Sequence, residues 1–387
     1  MSQENGERPY GQWKELFHEV VQTNLCTGCA ACIMACPRHV LDYDIKTYHP
    51  FNFEDSTPTD DCIHGQRGCD ICTKACPRFR AWEFEADEAL FGRARREDEV
   101  LGIYRDIYLV RATDEGIFQA GQDGGLVSAL LIWGLEKGKI DGALTSKLSE
   151  SRVFDAEPAL VTTRDEVLAT AGSRYTYAAN PLAMKLADEQ RLKSIALVGM
   201  SCQASINGTL SARNVAKYRR KVALTIGLLC SKSFTYEGLM ESKIRDEMGI
   251  PLEDIAKVNV KGKFQIWLKS TGEEIDIPLK DCHPYTREGC KLCPDFAAEH
   301  ADISTGGLGQ SDGWTLTIVR TERGAEWMSE LLDAGWIQVR PGDEDPGAIE
   351  LARKLAARQR QRWPEQLDGE AAAPRAVPID LMPKPKA

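Results

Sequence analysis

The stretch Cys26-Thr27-Gly28-Cys29-Ala30-Ala31-Cys32-Ile33-Met34-Ala35-Cys36-Pro37 decides how the amino-terminal part of this chain folds. Its cysteines follow the spacing C-x2-C-x2-C-x3-C-P. Two intervening residues let successive sulfur atoms turn inward toward one centre, and backbone N–H groups of so tight a loop point at negative charge held there. The closing proline removes a donor and fixes φ, which turns the chain away. A second run, Cys62-x6-Cys69-x2-Cys72-x3-Cys76-Pro77, repeats the pattern with a longer first gap.

Two matched runs, each closed by Cys-Pro, are typical of a bacterial-type ferredoxin module with two 4Fe-4S clusters. In such a module the fourth cysteine of each run crosses to the other cluster. Disulfides or a zinc site are the alternatives, but zinc ribbons lack this pattern. We therefore expect a first set formed by Cys26, Cys29, Cys32 and Cys76, and a second set formed by Cys36, Cys62, Cys69 and Cys72.

Composition restricts the compartment and the partners. The chain has 387 residues, which is enough for two or three domains. Its start is polar through Trp13 and no apolar run reaches the length of a membrane span, so we expect a cytoplasmic protein that is at most peripheral to a membrane complex. Thirteen cysteines then favour metal-bound or reduced thiols. The net charge of −10 disfavours nucleic acid as a partner, because a phosphate backbone needs a basic face.

Four segments are predicted along the chain. A polar lead (1–24) with one short amphipathic piece precedes the ferredoxin module (25–90), and an α/β domain with a β-rich insertion follows (100–345); the family resemblance described below implies that this domain binds a flavin. The last segment (346–387) is a charged helix and an Ala/Pro-rich tail that we expect to be disordered. Residues 78–99 predict a connecting helix that carries Arg93, Arg95 and Arg96 on its solvated surface.

Four further cysteines predict a third cluster. Two buried strands, 194–199 and 222–229, each end close to a cysteine, and open α/β sheets place their sites at the carboxyl ends of strands. A Cys-x2-Cys loop follows the β-rich insertion. Any one of these cysteines could be a buried small hydrophobe, but together we expect them to form a third set of Cys202, Cys230, Cys290 and Cys293. Cys282 has no partner motif and is expected to be a free or structural thiol.

Candidate cofactor-binding residues come from a glycine-rich turn that opens an apolar helix (126–136), a polar loop, a β-hairpin and a late backbone-exposing loop (301–309). A strand, a glycine-rich turn and a helix N-terminus form a site for phosphate or for close approach to a planar cofactor. The same glycines could equally serve a tight turn, and solvent exposure is the alternative for the lysines. The candidates are Gly121, Gln122, Gly124, Gly125, Ser128, Ser173, Tyr175, Lys261, Lys263 and Gly306.

These segments carry a family resemblance. In chain order, they resemble the family of β-subunits of coenzyme F420-reducing hydrogenases and F420-dependent formate dehydrogenases over roughly residues 105–340. With the ferredoxin module in front, the layout is similar to the electron-input subunits of dehydrogenases that oxidise reduced F420. The segments are 121–131, 198–203, 226–230, 261–264, 290–296 and 301–321.

The resemblance implies an FAD, a neighbouring site for the deazaflavin coenzyme F420, and a 4Fe-4S cluster on the cysteines that match the third set. Two departures are visible. Met200-Ser201 stand where the family often has Thr-Pro, and Gly307 stands where many members carry an acidic residue. The second departure bears on any acidic contact to the flavin or coenzyme.

The expected activity follows from these parts. Reduced F420 donates a hydride, whereas an iron-sulfur cluster accepts one electron at a time, and a flavin converts between the two. We therefore expect an F420-dependent oxidoreductase that exchanges electrons with a redox protein partner, either ferredoxin or a larger dehydrogenase complex, and we name no catalytic acid or base. The alternatives are a ferredoxin-dependent flavin reductase of an organic substrate and a non-catalytic electron-wiring subunit.

Overall fold

The computed structural model describes residues 10–54, 61–80, 82–309 and 312–362, and the backbone of 366–367 and 370–371. The predicted Ala/Pro-rich tail lies outside the described residues from 372 onward. Among the helices in these ranges, none combines the length and the apolar character that crossing a bilayer demands. The α-helices are α1 (Trp13–Leu16), α2 (Ala31–Ala35), α3 (Ile63–Gln66), α4 (Ile71–Ala75), α5 (Trp82–Phe91), α6 (Glu115–Ala120), α7 (Leu126–Glu136), α8 (Arg164–Ala169), α9 (Met184–Glu189), α10 (Ser201–Ala212), α11 (Ala216–Lys221), α12 (Leu279–Cys282), α13 (Glu288–Lys291), α14 (Glu322–Asp333) and α15 (Pro346–Arg360).

Strands form one large mixed sheet, a three-stranded antiparallel sheet and short antiparallel pairs. The large sheet has the order β13-β3-β12-β11-β7-β6-β4-β5, the smaller sheet has the order β10-β9-β8, and β1 pairs with β2. The strands are β1 (Leu41–Asp44), β2 (His49–Asn52), β3 (Asp106–Ala112), β4 (Gly142–Leu148), β5 (Ala156–Val161), β6 (Ile195–Met200), β7 (Val222–Leu228), β8 (Ile255–Val260), β9 (Lys263–Leu268), β10 (Glu274–Pro278), β11 (Ile303–Gly306), β12 (Thr315–Val319) and β13 (Ile337–Pro341).

The central strands of the large sheet are buried on both faces. Along β6, Ala196 and Val198 pack into a core with helix α7, while Ile195 and Leu197 pack into a second core with helix α10. Successive side chains of a strand point to opposite faces, so a strand covered on both sides needs a continuous apolar run, as the sequence here has. This confirms the strand and helix predictions for 194–199 and 126–136.

One edge of the large sheet collects the ends of its parallel strands. β4, β6 and β7 run parallel, and β11 runs parallel to β7. β3 shares this direction, because β12 lies antiparallel between β3 and β11. The glycine-rich turn after β3, the third cysteine set and the glycines at the end of β11 therefore all lie toward one edge, which is where open α/β sheets place their sites.

The three-stranded sheet is an insertion with its own core. It contains the β8–β9 hairpin that the sequence predicts, and β10 adds a third strand. Leu239, from a π-type helix (Tyr236–Glu247), packs against Phe264 and Cys282 there. Cys282 is fully buried among these apolar side chains, in line with a structural thiol.

Two expectations are wrong. The connecting helix predicted over 78–99 is confined to α5 in the described residues, and Arg95 is buried rather than solvated, because its guanidinium pairs with Asp87 and Glu299. Arg93 and Arg96 remain exposed. The expected loop at 301–309 contains a buried strand, β11, which is held by pairing with β7 on one side and β12 on the other.

Candidate electron-transfer and cofactor site

The first cysteine set begins in a tight loop ahead of α2. Gly28 has a left-handed backbone (φ +70°), and a Cβ there would lie 2.4 Å from the Tyr48 carbonyl oxygen, so only glycine fits. The Gly28 N–H donates to Cys26 Sγ at 3.4 Å. Burial raises the pKa of the Cys26 thiol to about 12, so this thiol stays protonated unless a cation or metal favours the thiolate.

Cys76 completes this set from the second run. Cys76 follows α4. Burial is the main cause that raises the pKa of its thiol, and the nearby charges of Cys29 and Cys26 raise this pKa further. Among the neighbouring cysteines, Cys76 raises the pKa of Cys32 more than Cys26 or Cys29 does. The structure thus brings the fourth cysteine of the second run to the first loop, in the crossed arrangement that the spacing predicts.

The second set surrounds one cavity of about 330 Å³, part of it open to solvent. Trp13 and Val40 are among the other residues that line it, and the Trp13 side chain is almost fully buried. The amphipathic lead therefore covers part of the module. The four cysteines that line this cavity are Cys36, Cys62, Cys69 and Cys72, of which Cys69 is partly exposed.

The third set lines a second cavity, of about 290 Å³. Cys202 lies in the first turn of α10 just after β6, and Cys230 follows β7. The Cys230 N–H and the Ser201 hydroxyl both donate to the Phe296 carbonyl oxygen, at 2.9 and 3.1 Å, which ties the two strand ends to the loop that carries the other two cysteines. All four cysteines of the predicted third set, Cys202, Cys230, Cys290 and Cys293, line this cavity.

Two buried arginines lie beside the third set and bear on whether an anionic cluster fits there. Arg78 and Arg287 are 4% and 3% exposed, and neither forms an ion pair with a described carboxylate. Arg78 Nη1 and Arg287 Nε have no hydrogen-bond partner in the described part of the chain. A buried cation that makes no direct ion pair is costly. Thiolate-held iron-sulfur clusters supply such a charge, so the residues present fit the group.

The single-ion alternative is less well matched. Within the described ranges, no three His, Cys, Asp or Glu side chains are drawn together around one point that a lone metal ion would fill. The four cysteines of the second set line one cavity, and the four of the third set line another.

The glycine-rich turn after β3 is fixed by backbone contacts. The Gly124 N–H donates to Thr315 Oγ1 at 2.8 Å, and its carbonyl oxygen accepts from the Ala112 N–H at 2.7 Å. A Cβ at Gly124 would lie 2.2 Å from the Val110 carbonyl oxygen. Gly125 is left-handed (φ +77°) and directly precedes α7. Ser128 is buried in the first turn of that helix.

Asn259 connects three of the predicted segments. Its Oδ1 accepts from Gln122 Nε2 at 3.1 Å and from the Tyr175 hydroxyl at 3.0 Å. The Ser173 N–H donates to Gln122 Oε1 at 3.3 Å. Burial raises the pKa of Tyr175 to about 12, so its hydroxyl remains a donor. The turn, the polar loop and the insertion therefore meet around one amide.

An acidic group lies beside Gly307. A Cβ at this glycine would lie 2.1 Å from Asp123 Oδ2, so the Asp123 carboxylate occupies the space next to the position where many members of the resembled family carry an acid. Burial raises the pKa of Asp123, and the charges of Lys261 and Lys257 oppose that rise. We call Gly121–Gly125, Gly306, Gly307 and Asn259 the glycine-rich face.

The two candidate lysines have different surroundings. Lys261 Nζ donates to Asp312 Oδ1 at 3.0 Å, with both side chains largely exposed, and its charge reaches Asp123. Lys263 instead pairs with Asp276 across the β9–β10 ladder. Of the two, Lys261 is therefore the one joined to the glycine-rich face.

The glycine-rich face and the third cysteine set adjoin at the end of β7. The Leu229 N–H donates to the Thr305 carbonyl oxygen, and a Cβ at Gly306 would lie 2.9 Å from the Leu229 side chain. The next residue, Cys230, belongs to the third set. A ligand at the glycine-rich face would thus lie beside the cysteines.

Several residues of the site are absent from the sequence-based candidates. Asn259 and Asp123 lie inside the hairpin and the glycine-rich turn, but their residue types carry no signal of their own there. Arg78 directly follows the second Cys-Pro pair, which is a usable sequence signal, and Arg287 precedes Cys290 by three residues. Tyr177, whose hydroxyl lies 3.6 Å from Cys202 Sγ, belongs to the predicted polar loop.

Comparison with known proteins gives matches along most of the chain. Family models match for a 4Fe-4S binding domain over residues 19–42, and for the coenzyme F420 hydrogenase/dehydrogenase beta subunit, N-term over 107–185 and C terminus over 192–345. The chain is 34% identical to the beta subunit of coenzyme F420 hydrogenase from Methanothermobacter thermautotrophicus, over 68% of this chain and 94% of that protein. It is 30% identical to a subunit of F(420)H(2) dehydrogenase from Methanosarcina mazei, over 89% of this chain and 91% of that protein.

A solved structure has a similar fold. A chain of the F420-reducing NiFe hydrogenase complex from Methanosarcina barkeri superposes with a TM-score of 0.64 and 32% sequence identity, covering 68% of this chain and 91% of that chain.

Proposed function

Because the chain belongs to the family of coenzyme F420 hydrogenase/dehydrogenase beta subunits, we propose that it is an iron-sulfur flavoprotein that exchanges a hydride with coenzyme F420 and single electrons with a protein partner. Its relatives are named as subunits of F420-linked oxidoreductases, which supports the coarser part of this proposal. The finer part is that the glycine-rich face holds FAD next to F420 and that the three cysteine sets hold three 4Fe-4S clusters.

The proposal that FAD binds on the glycine-rich face rests on the position of this face beside the third cysteine set. The two adjoin at Leu229 and Cys230, on the sheet edge where parallel strands end. FAD, when bound, would convert between the hydride of F420 and the single electrons of a cluster. A site for the flavin is therefore needed beside a cluster, and this juxtaposition supports the proposal that the flavin binds here.

The chain's own residues would bind and orient. Gly124 and Gly125 let the turn pack tightly against β3 and lead into α7, whose N-terminus would take a phosphate group. Asn259 fixes the relative positions of Gln122 and Tyr175. Lys261 presents an exposed ammonium to an anionic phosphate or to a reduced flavin. We assign no acid or base among these residues, because their part would be to bind and orient the two ring systems.

A redox partner is part of the proposal. Both relatives above are named as subunits, and the solved chain belongs to a complex, which supports a protein partner for the electrons. Cys69 is partly exposed, whereas the other cysteines of the two ferredoxin sets are buried, so the second set is the nearer of the two to solvent and to such a partner.

An anaerobic titration tests the function. The purified, iron-reconstituted chain would be analysed for iron and flavin, and then mixed with chemically reduced F420 while flavin and cluster absorbance are followed. We expect about twelve irons, four for each of three clusters, about one FAD per chain, and rapid bleaching of both chromophores. A full set of cofactors without bleaching would contradict F420 as the donor and favour the ferredoxin-dependent reductase.

A further inference from the structure

Arg78 contacts cysteines of two different sets. Its backbone N–H interacts with the Cys76 thiol of the first set. Its guanidinium Nη2 lies 2.9 Å from Cys293 Sγ of the third set, 215 residues away in the chain. The ring of Trp82 lies on one side of the guanidinium, 5.7 Å from it. Arg78 therefore bridges the ferredoxin module and the α/β domain through ligands of two candidate clusters.

Arg287 forms the reverse connection. It belongs to the loop of the third set, and its Nη1 lies 3.9 Å from Cys290 Sγ. Its Nη2 donates to the Thr27 carbonyl oxygen at 3.0 Å, inside the loop of the first set. The Tyr177 ring stacks under the guanidinium at 3.5 Å, and the Tyr177 hydroxyl approaches Cys202 Sγ. Arg78 of the ferredoxin module thus reaches a cysteine of the α/β domain, and Arg287 of the α/β domain reaches the first cysteine loop of the module.

The contacts at this junction indicate which cysteine set lies next to the α/β domain. The charge of Cys29, from the first set, reaches Cys202 of the third set. The strongest cysteine neighbours of Cys72, in the second set, are Cys69 and Cys36 of the same set. Cys29 also packs in the same core as Tyr177 and Cys202, so the first set lies at the domain boundary next to the third.

Given the clusters proposed above, we infer that Arg78 and Arg287 are positioning residues that raise the reduction potential of the third cluster and hold it against the first, so that single electrons cross the domain boundary at this pair of arginines. Reduction adds one negative charge to a cluster, and a buried guanidinium beside its ligands stabilises that charge, because charges interact strongly where water is excluded. With both clusters bound, one electron would pass between the third and the first, with no bond or proton changed.

The test is a redox titration of the full chain followed by electron paramagnetic resonance. The signal of the third cluster is identified as the one that Cys290→Ala removes. At the potential where this cluster is half reduced in the native protein, Arg78→Met should lower its reduced-to-oxidised ratio at least tenfold, which is a shift of about 59 mV for one electron. Arg78→Lys, which keeps the charge, should recover most of the ratio.

Arg213→Met is the matched control. Arg213 is also buried and also joins the two domains, but it donates to the carbonyl oxygens of Thr73 and Phe79 and pairs with Glu85. Its removal should leave the third-cluster ratio unchanged. An equal shift in Arg213→Met, or a third-cluster signal that Arg78→Met does not shift, would overturn the inference alone. Absence of any signal that depends on Cys290 would overturn both the inference and the proposed third cluster.

Discussion

The cysteine sets and the glycine-rich face meet at the end of β7, yet different contacts hold them. Around the third set, Arg78 and Arg287 are buried, and a neighbouring network of Asp87, Arg95 and His300 is buried as well. On the glycine-rich face, the Lys261–Asp312 pair is largely exposed. A charge displaced from the interior would lose its partner in a medium of low dielectric, whereas an exposed pair exchanges with water at little cost. The interior is therefore fixed in one arrangement, whereas the exposed Lys261–Asp312 pair beside the face can rearrange around a ligand.

The largest expected effect comes from removing a thiol of the third set. Cys202→Ala should reduce the iron content by about four of about twelve atoms per chain. Reduced F420 should still bleach the flavin, but electrons should no longer reach a one-electron acceptor, because the proposed third cluster would be the first acceptor beside the flavin. Iron analysis and stopped-flow absorbance measure the two halves of this prediction.

Cys282→Ser provides the control for that variant. Cys282 is also fully buried, but it packs in the apolar core of the insertion. Its substitution should leave the iron content unchanged. A Cys202→Ala protein that retains the complete iron complement would show that the third set does not hold a cluster, and the contrast between the two regions would lose its basis.

The sequence predicts the cysteine sets better than it predicts the contacts of the glycine-rich face. Ligand spacing is local, so Cys26 and Cys29 can be assigned from adjacent letters alone. Asn259 bonds to Gln122 across 137 residues, and no local pattern contains that distance. β11 resembles a loop because it is short and followed by glycines, and pairing with β7 and β12 is what makes it a strand. The prediction for Arg95 is wrong because a charged run looks solvated until its buried partners are known.

A smaller but still large effect is expected from the buried ion network. Arg95 Nε donates to Asp87 Oδ2 at 2.8 Å, and His300 Nε2 lies 3.0 Å from Asp87 Oδ1. Asp87→Asn leaves Arg95 without this partner and should destabilise the fold by about 3–5 kcal/mol. Thermal release of iron, followed by absorbance, is the measurement. The exposed Asp98→Asn, which loses only a surface pair with Arg96, should cost about 0.5 kcal/mol or less.

The contribution of the same network to stability should be visible when the pH is lowered. Burial alone would raise the pKa of Asp87, but the charge of Arg95 and the hydrogen bond with His300 outweigh it and hold this pKa well below its usual range. A carboxyl whose pKa is lower in the folded state stabilises the fold above its unfolded pKa, and this contribution is lost as the pH falls below that value. The native protein should therefore lose more stability than Asp87→Asn when the pH is lowered through about 4. Equal losses would show that the pair is not a source of stability.

The smallest effect is expected on the glycine-rich face, where two lysines of one hairpin offer a matched comparison. Lys261 is exposed, its charge reaches Asp123, and its partner Asp312 is itself exposed. Lys261→Ala should raise KM for reduced F420 about threefold, or by roughly 0.6 kcal/mol, and the difference should shrink at high salt because exposed charges are screened. Lys263→Ala should leave KM unchanged, since its ammonium pairs with Asp276 on the neighbouring strand. Equal effects of the two substitutions would mean that general attraction by the hairpin, rather than a contact at Lys261, draws the anionic ligand to this face.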